Sequence, residues 1–288
     1  MKDYIKLMRV HHWIKNVLIL LPCFFAGKLF EKSVFIDIIG VLTFCLCASI
    51  VYIINDIKDA DKDKKHEVKR NRPIASSRVS KKAALVFAVC LSVMMEVLIL
   101  VICGNFLNLE NLILLIYLSI NIAYSFGLKD KPIVDVILLA SGFVLRVIFG
   151  AVLSNCMISQ WFYVTIMMFS LYMGLGKRRN ELRKVNDGET RQVLKYYTDG
   201  FLSRNMLLCA TLGMVFYSFW SAIVVPQKEY MIWTLPLVIA IFMRYELDLE
   251  QNNFGDPVDV ILSDKLLIGL AFVYGCIVFG LIYLESWL

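Results

Sequence analysis

Apolar residues in this chain fall in long blocks separated by short, charge-dense stretches. A block of about 20 apolar residues spans the hydrocarbon core of a bilayer as a helix. A closed barrel would instead show short alternating strands, and that pattern is absent. Nine blocks predict nine spans, at about Val17 to Phe30, Val34 to Asn55, Ala83 to Cys103, Leu109 to Phe126, Ile133 to Leu153, Trp161 to Gly176, Met206 to Val225, Met231 to Tyr245 and Leu266 to Trp287. The first and eighth are short and carry Pro22 and Pro236, so their limits are the least defined. The expected fold is therefore all-α and polytopic, a single integral membrane domain over residues 1–288. Composition agrees, because 59% hydrophobic residues and a mean hydropathy of +0.69 exceed what a soluble domain carries. Met1 to Lys15 is charged and mixed, unlike a cleavable signal.

The basic residues orient the chain, since cytoplasmic loops collect Lys and Arg. Of the 30, 26 lie on the side of the N-terminal arm, and only Lys28, Lys32 and Lys228 lie opposite, with Arg146 inside a span. This predicts a multi-pass protein of the cell membrane with a cytoplasmic N-terminus and, after nine spans, a C-terminus outside. The net charge of +6 is the sum of these loops and their attraction to anionic lipid; nucleic acid is not needed to explain it. The eight cysteines lie in or beside apolar spans without a C-x-x-C pair and nearby His, and read as small apolar residues.

Two cytoplasmic loops, about residues 56–82 and 177–205, are long and charged, while the loops on the other face are short. Elaboration of one face predicts chemistry on that face. The two loops follow helices four spans apart, as in a duplicated four-helix unit, although no sequence repeat is evident.

The first loop opens with Asn55-Asp56-Ile57-Lys58-Asp59-Ala60-Asp61-Lys62-Asp63. On a continuing helix, Asp56, Asp59 and Asp63 share one face at i, i+3 and i+7. They repel each other at a helix C-terminus, where the macrodipole also disfavours anions. Lys58 and Lys62 would offset part of this in a merely solvated helix end. Held at fixed spacing against the membrane, the same carboxylates suit Mg²⁺ (or Mn²⁺), which takes one or two carboxylates and completes its shell with phosphate oxygens and water. Lys69, Arg70 and Arg72 follow, and Arg72-Pro73 stiffens the end of a run suited to phosphate, although a charge run is more often a solvated face. The second loop opens with a glycine-flanked basic triplet, Lys177-Arg178-Arg179, then Glu181. Topology alone accounts for its charge, but not for its place at the mouth of a span. Lys15 and Asn16 lead into an apolar run. Arg146 at membrane depth must face protein or water, in a functional role or in pairing that holds helices together. Tyr124, Lys129, Asp135, Arg244 with Asp248, and Asp259 with Asp264 are weaker single features at cytoplasmic ends.

Together these motifs resemble the UbiA superfamily of intramembrane prenyltransferases, whose first metal motif Asn55-Asp56-x-x-Asp59-x-x-x-Asp63 matches without a gap. The chain is more similar to the branch that transfers phosphoribose from phosphoribosyl pyrophosphate to a polyprenyl (decaprenyl-type) phosphate. The residues that carry this are Arg9 with Trp13-Ile14-Lys15-Asn16, His66 with Lys69-Arg70-x-Arg72-Pro73-Ile74-Ala75, Ala140-Ser141-Gly142-Phe143-x-Leu145-Arg146, Gly176-Lys177-Arg178 with Glu181-Leu182, and Arg244-Tyr245 with Gly255-x-Pro257. It departs at Val10, His12 and Arg179, where that branch more often has Pro, Gln and an aromatic. Prenyl-diphosphate users of the superfamily carry a second Asp-rich motif where this chain has Lys177-Arg178-Arg179.

The resemblance implies nine helices around a central cavity under cytoplasmic cap loops. It implies Mg²⁺ on Asp56, Asp59 and Asp63, and the donor's phosphates on Asn55, Lys69, Arg70, Arg72, Lys177, Arg178 and Glu181. Arg9, Lys15 and Asn16 would hold the lipid phosphate, with Arg146 and Tyr124 as intramembrane support. The partners are then phosphoribosyl pyrophosphate, a polyprenyl phosphate and the membrane; a homo-oligomer is compatible with the sequence. Two alternatives are a prenyltransferase acting on an aromatic acceptor, which would need the second acidic motif, and a transporter of lipid phosphates or anions, which would place charge on both faces.

Overall fold

Backbone polar groups in hydrocarbon must be satisfied within their own segment, which favours helices throughout. The computed structural model describes residues 2–31, 34–65, 69–183, 191–224, 228–251 and 257–284, and among these there is no strand. Helix α1 (Lys2–Met8) leads into a 3₁₀ stretch, Val10–Leu20, and then the short α2 (Leu21–Phe25). The first expected span is thus not one α-helix. Pro22 lies in the first turn of α2, and its ring would clash with the carbonyl of Leu18 in a continuous helix.

Helix α3 (Val34–Asp63) runs eight residues past the expected limit at Asn55. Its 30 residues measure about 45 Å against a hydrocarbon core of about 30 Å, so Asp56, Asp59 and Asp63 ride on helical turns beyond the apolar stretch. Next come α4 (Lys81–Cys103), capped by the Ser80 hydroxyl on Ala83 N–H, α5 (Leu109–Ser125), capped by Asn108, and α6 (Val134–Leu153). Helix α7 (Gln160–Arg183) also overruns its expected end, so Lys177 to Glu181 are helical rather than loop. The remaining helices are α8 (Asp199–Phe219), α9 (Lys228–Met231), α10 (Leu235–Gln251), α11 (Pro257–Ser263) and α12 (Lys265–Phe279), with single π-helical turns after α8 and α12. Pro236 is harmless in the first turn of α10, where its missing N–H has no helical partner.

Among the described residues, six helices are long and apolar enough to cross a membrane: Val34–Asp63, Lys81–Cys103, Val134–Leu153, Asp199–Val224, Glu229–Gln251 and Lys265–Tyr283. Val10–Phe25 and Leu109–Ser125 are shorter apolar helices. Helix α4 shows what such a medium selects. Leu85, Val89, Val93 and Val97 are exposed along one face, and Ala84, Ala88, Leu91, Met95 and Ile99 are buried on the other. Both faces are apolar, as a helix between protein and lipid requires.

The chain divides into two compact units, residues 1–129 with 145–157 and residues 130–144 with 158–288. The core of the first gathers Phe44, Ile50, Leu91, Leu114 and Phe149. Within it Gly150 lies directly against the Ile19 carbonyl, where a Cβ would come within 1.9 Å. The core of the second gathers Tyr172, Leu175, Leu202, Met206, Leu249 and Leu267. There Gly213 lies against the Phe169 ring and lets α7 and α8 approach. All eight cysteines are free.

Candidate functional site

In the first unit α3 places its carboxylates unequally. At about 100° per residue, Asp63 lies only about 20° round the helix from Asp56, whereas Asp59 lies about 60° away. Asp56 and Asp63 are accordingly buried together, while Asp59 is 32% exposed and faces Lys129 Nζ at 3.5 Å. Two arginines from different segments meet the buried pair. Arg72 Nη1 donates to Asp63 Oδ2 at 2.7 Å and lies 3.2 Å from Asp56 Oδ1. Arg9 Nη2 donates to that same Asp56 oxygen at 2.5 Å and its guanidinium lies over the Tyr52 ring.

Two carboxylates therefore converge on one cationic nitrogen, and the expected convergence of all three is not found. Among the described residues no group of three or more His, Cys, Asp or Glu side chains is placed to hold a metal. The pair still fits Mg²⁺, which needs one or two carboxylates and takes its other oxygens from phosphate and water. The position of Arg72 Nη1 marks where positive charge is already stabilised.

Around this pair, Asn55 accepts a hydrogen bond from the Ser125 hydroxyl, and Lys58 donates to the Ser125 carbonyl over the Phe126 ring. Lys69 and Arg70 form a short 3₁₀ turn exposed to solvent. His66 lies outside the described residues. Tyr124 is half-buried in the last turn of α5.

Arg146 is brought to Asn16, as neither motif alone foretells. Its Nε donates to Asn16 Oδ1 at 2.7 Å and its Nη2 to Tyr117 Oη at 3.0 Å, with the Phe44 and Tyr117 rings each 5.0 Å away. Asn16 is buried and its Nδ2 donates to Cys45 Sγ. Neighbouring Lys15 is half-buried. Among Arg9, Lys15 and Asn16, the structure thus places Arg9 on the carboxylate pair and Asn16 on the buried arginine.

The second unit holds a basic cluster at the end of α7. Arg178 is fully buried, with Nε on Asp135 Oδ2 at 2.5 Å and Nη1 on Glu181 Oε2 at 2.6 Å. Arg191 Nε joins Glu181 at 3.3 Å. Burial pushes the Glu181 carboxyl up, but Arg191, Arg178 and Lys177 outweigh it and hold it below its ordinary value. Tyr197 donates to Asp135 Oδ1 at 2.5 Å and accepts the Ile133 N–H at 2.6 Å. Burial, and then the bond to Asp135, raise the Tyr197 phenol, so it keeps its proton for this contact. Ile133 has φ 68°, a region costly for a β-branched residue, and its bond to Tyr197 helps hold it there. Sequence alone gives Asp135 only as an isolated acid and Tyr197 no signal; both matter here because the fold brings distant segments together.

Arg179, next in the triplet, turns elsewhere. Its Nη2 donates to Glu246 at 2.7 Å, and Tyr172 donates to the same carboxylate. Arg244 Nε donates to Asp264, which also caps α12, and Arg244 Nη2 lies 3.5 Å from Asp248. Gly255 falls outside the described residues.

A sequence model of the UbiA prenyltransferase family matches residues 18–256. The decaprenyl-phosphate phosphoribosyltransferase of Corynebacterium glutamicum is 34% identical over 95% of this chain and 85% of its own. That of Mycolicibacterium smegmatis is 32% identical over 91% and 87%. The solved structure of a UbiA homolog from Archaeoglobus fulgidus bound to DMAPP and Mg²⁺ superposes with a TM-score of 0.73, covering 97% of this chain and 99% of that one at 16% identity. The last likeness concerns the fold alone.

Proposed function

The chain belongs to the UbiA prenyltransferase family, and from that premise we propose that it transfers 5-phosphoribose from phosphoribosyl pyrophosphate to a polyprenyl phosphate, releasing diphosphate. The likeness to decaprenyl-phosphate phosphoribosyltransferases over 95% of the chain supports the reaction class. The observation that carries the choice of donor is the end of α7, where Lys177, Arg178 and Arg191 gather around Glu181. A donor gripped at two metal clusters needs two acidic patches. A donor with a diphosphate and a separate phosphate needs one acidic and one basic patch.

The roles follow from the chemistry of each group. Asp56 and Asp63 would hold Mg²⁺, with Asp59, the third acid of the motif, beside them as a charged pair with Lys129. When bound there, the ion would supply positive charge to the departing diphosphate. Asn55, Lys69, Arg70 and Arg72 supply further contacts to donor oxygens. The bond from ribose C1 to diphosphate oxygen breaks as a lipid phosphate oxygen forms the new C1–O bond from the opposite face. That nucleophile is already ionised at neutral pH, so no general base is required.

Lys177 supplies positive charge for the unreacting phosphate. Arg178, held by two carboxylates and shielded from solvent, positions Lys177 and Glu181 rather than touching the phosphate itself. Lys15 is assigned to the lipid phosphate, and the polyprenyl tail to the apolar bundle. The basic-residue asymmetry supports a plasma-membrane enzyme with these groups on the cytoplasmic side.

The test is transfer of isotope-labelled phosphoribose from phosphoribosyl pyrophosphate to a short polyprenyl phosphate by the purified protein in detergent. Transfer that stops with chelator, returns with Mg²⁺ and is lost in Asp63→Asn supports the reading. Transfer of prenyl groups to an aromatic acceptor, and never of phosphoribose, overturns it.

A further inference from the structure

The carboxylates assigned to the metal are already paired with positive charge. Asp56 and Asp63 are only 3% and 6% exposed, and their oxygens face Arg9 and Arg72. The two arginines come from separate segments, the N-terminal arm and the stretch after α3, yet both reach Asp56 Oδ1. They are also the more accessible partners, 21% and 29% exposed. The backbone behind Arg72 is pinned, because its carbonyl accepts from Ser76 N–H and Pro73 and Ile74 are buried. Its side chain, 29% exposed, is the part that solvent reaches. The Arg9 guanidinium has the Tyr52 ring to lean on at 5.0 Å.

We propose that Arg9 and Arg72 are place-holding cations for the Asp56–Asp63 pair, so that the metal enters together with diphosphate and not before it; this rests on the metal–diphosphate reading above. A divalent ion arriving alone must lift two guanidiniums off buried carboxylates and leave them with no anion. Like charges then crowd a poorly solvated site, and binding is opposed. An ion arriving with diphosphate brings oxygens to which both guanidiniums transfer, in the geometry that arginine and phosphate favour. The same two arginines therefore oppose the bare metal and favour the metal–diphosphate complex.

This gives a change of sign that a purely structural or purely phosphate-binding arginine does not. The full-length protein in detergent is titrated with radioactive Mn²⁺ in equilibrium dialysis, with and without inorganic pyrophosphate, and bound ion is read as the excess over the protein-free compartment, which holds the same pyrophosphate. Wild type should bind Mn²⁺ weakly alone and tightly with pyrophosphate. Arg72→Gln should bind Mn²⁺ alone about tenfold more tightly, and Mn²⁺ with pyrophosphate about tenfold less tightly, as loss of one charge-assisted contact implies. Arg72→Lys should return toward wild type in both, and Arg9→Gln should repeat the crossing if Arg72→Gln does not fold. If the Gln variants bind Mn²⁺ alone no more tightly than wild type, while wild type binds it with pyrophosphate, the place-holder proposal is overturned and the metal–diphosphate reading stands. If wild type binds no Mn²⁺ even with pyrophosphate, that reading falls and the proposal with it.

Discussion

Arg178 donates through Nε to Asp135 at 2.5 Å, and neither side chain has any exposed surface. A buried ion pair adds little over a well-packed apolar pair, but breaking one side of it costs about 3–5 kcal/mol. Asp135→Asn should therefore lower the melting temperature of the detergent-solubilised protein clearly. The double variant Asp135→Leu, Arg178→Met should recover most of that stability. Its KM for phosphoribosyl pyrophosphate should stay raised, because Lys177 and Glu181 lose what positions them. A double variant with wild-type KM would make the pair structural only.

Glu181 gives a pH dependence of known sign. Its carboxyl is held below its ordinary value of 4.5 in the folded protein by Arg191, Arg178 and Lys177, against burial. Its contribution to stability is complete above the unfolded value and is lost as pH falls through the lower folded one. Wild type should thus lose melting temperature from pH 6 to pH 3.5 more steeply than Glu181→Gln, whose curve lacks this component. Parallel curves would mean that Glu181 is not held ionised.

Much of this was legible in residue spacing, but unevenly. The i, i+7 relation of Asp56 and Asp63 survives because α3 stays helical to Asp63. The i+3 relation is looser, and Asp59 turns to Lys129 instead. Pro22 marked the first span as uncertain, and there the chain is 3₁₀ and then a short α-helix. Hydropathy reports where hydrocarbon ends, at about Asn55 and Gly176, whereas hydrogen bonding carries α3 on to Asp63 and α7 to Arg183. Asn16 with Arg146, and Tyr197 with Asp135, are separated by 130 and 62 residues, and such pairings have no local signature.

Asn16 now separates two roles that sequence joins. Its Oδ1 accepts from the buried Arg146 at 2.7 Å. Asn16→Ala removes a hydrogen bond to a charged group, worth about 1.5–3 kcal/mol. The expected result is a lower melting temperature with little change in KM for polyprenyl phosphate. Lys15→Ala should do the reverse, raising that KM with a smaller effect on stability. If Asn16→Ala instead melts like wild type and raises the lipid KM, Asn16 contacts the lipid phosphate after all.

Gly150 tests whether the 3₁₀ stretch that carries Lys15 and Asn16 depends on close backbone approach. A Cβ at Gly150 would lie 1.9 Å from the Ile19 carbonyl oxygen and 2.7 Å from its carbon, both backbone atoms that cannot rotate away. Gly150→Ala must therefore push the 3₁₀ stretch and α6 apart, at a cost of about 1–3 kcal/mol for overpacking. Gly269, in α12, has nothing within 4 Å of its Cβ position, so Gly269→Ala should be neutral or slightly stabilising, as Ala is the better helix former. Thermal unfolding of the two variants side by side reads the difference. Because displacement of Ile19 also shifts Lys15, which lies on the same 3₁₀ stretch, Gly150→Ala should raise the KM for polyprenyl phosphate at temperatures where the protein remains folded. Equal melting temperatures for the two variants would mean that the segment holding Lys15 and Asn16 is not packed on α6.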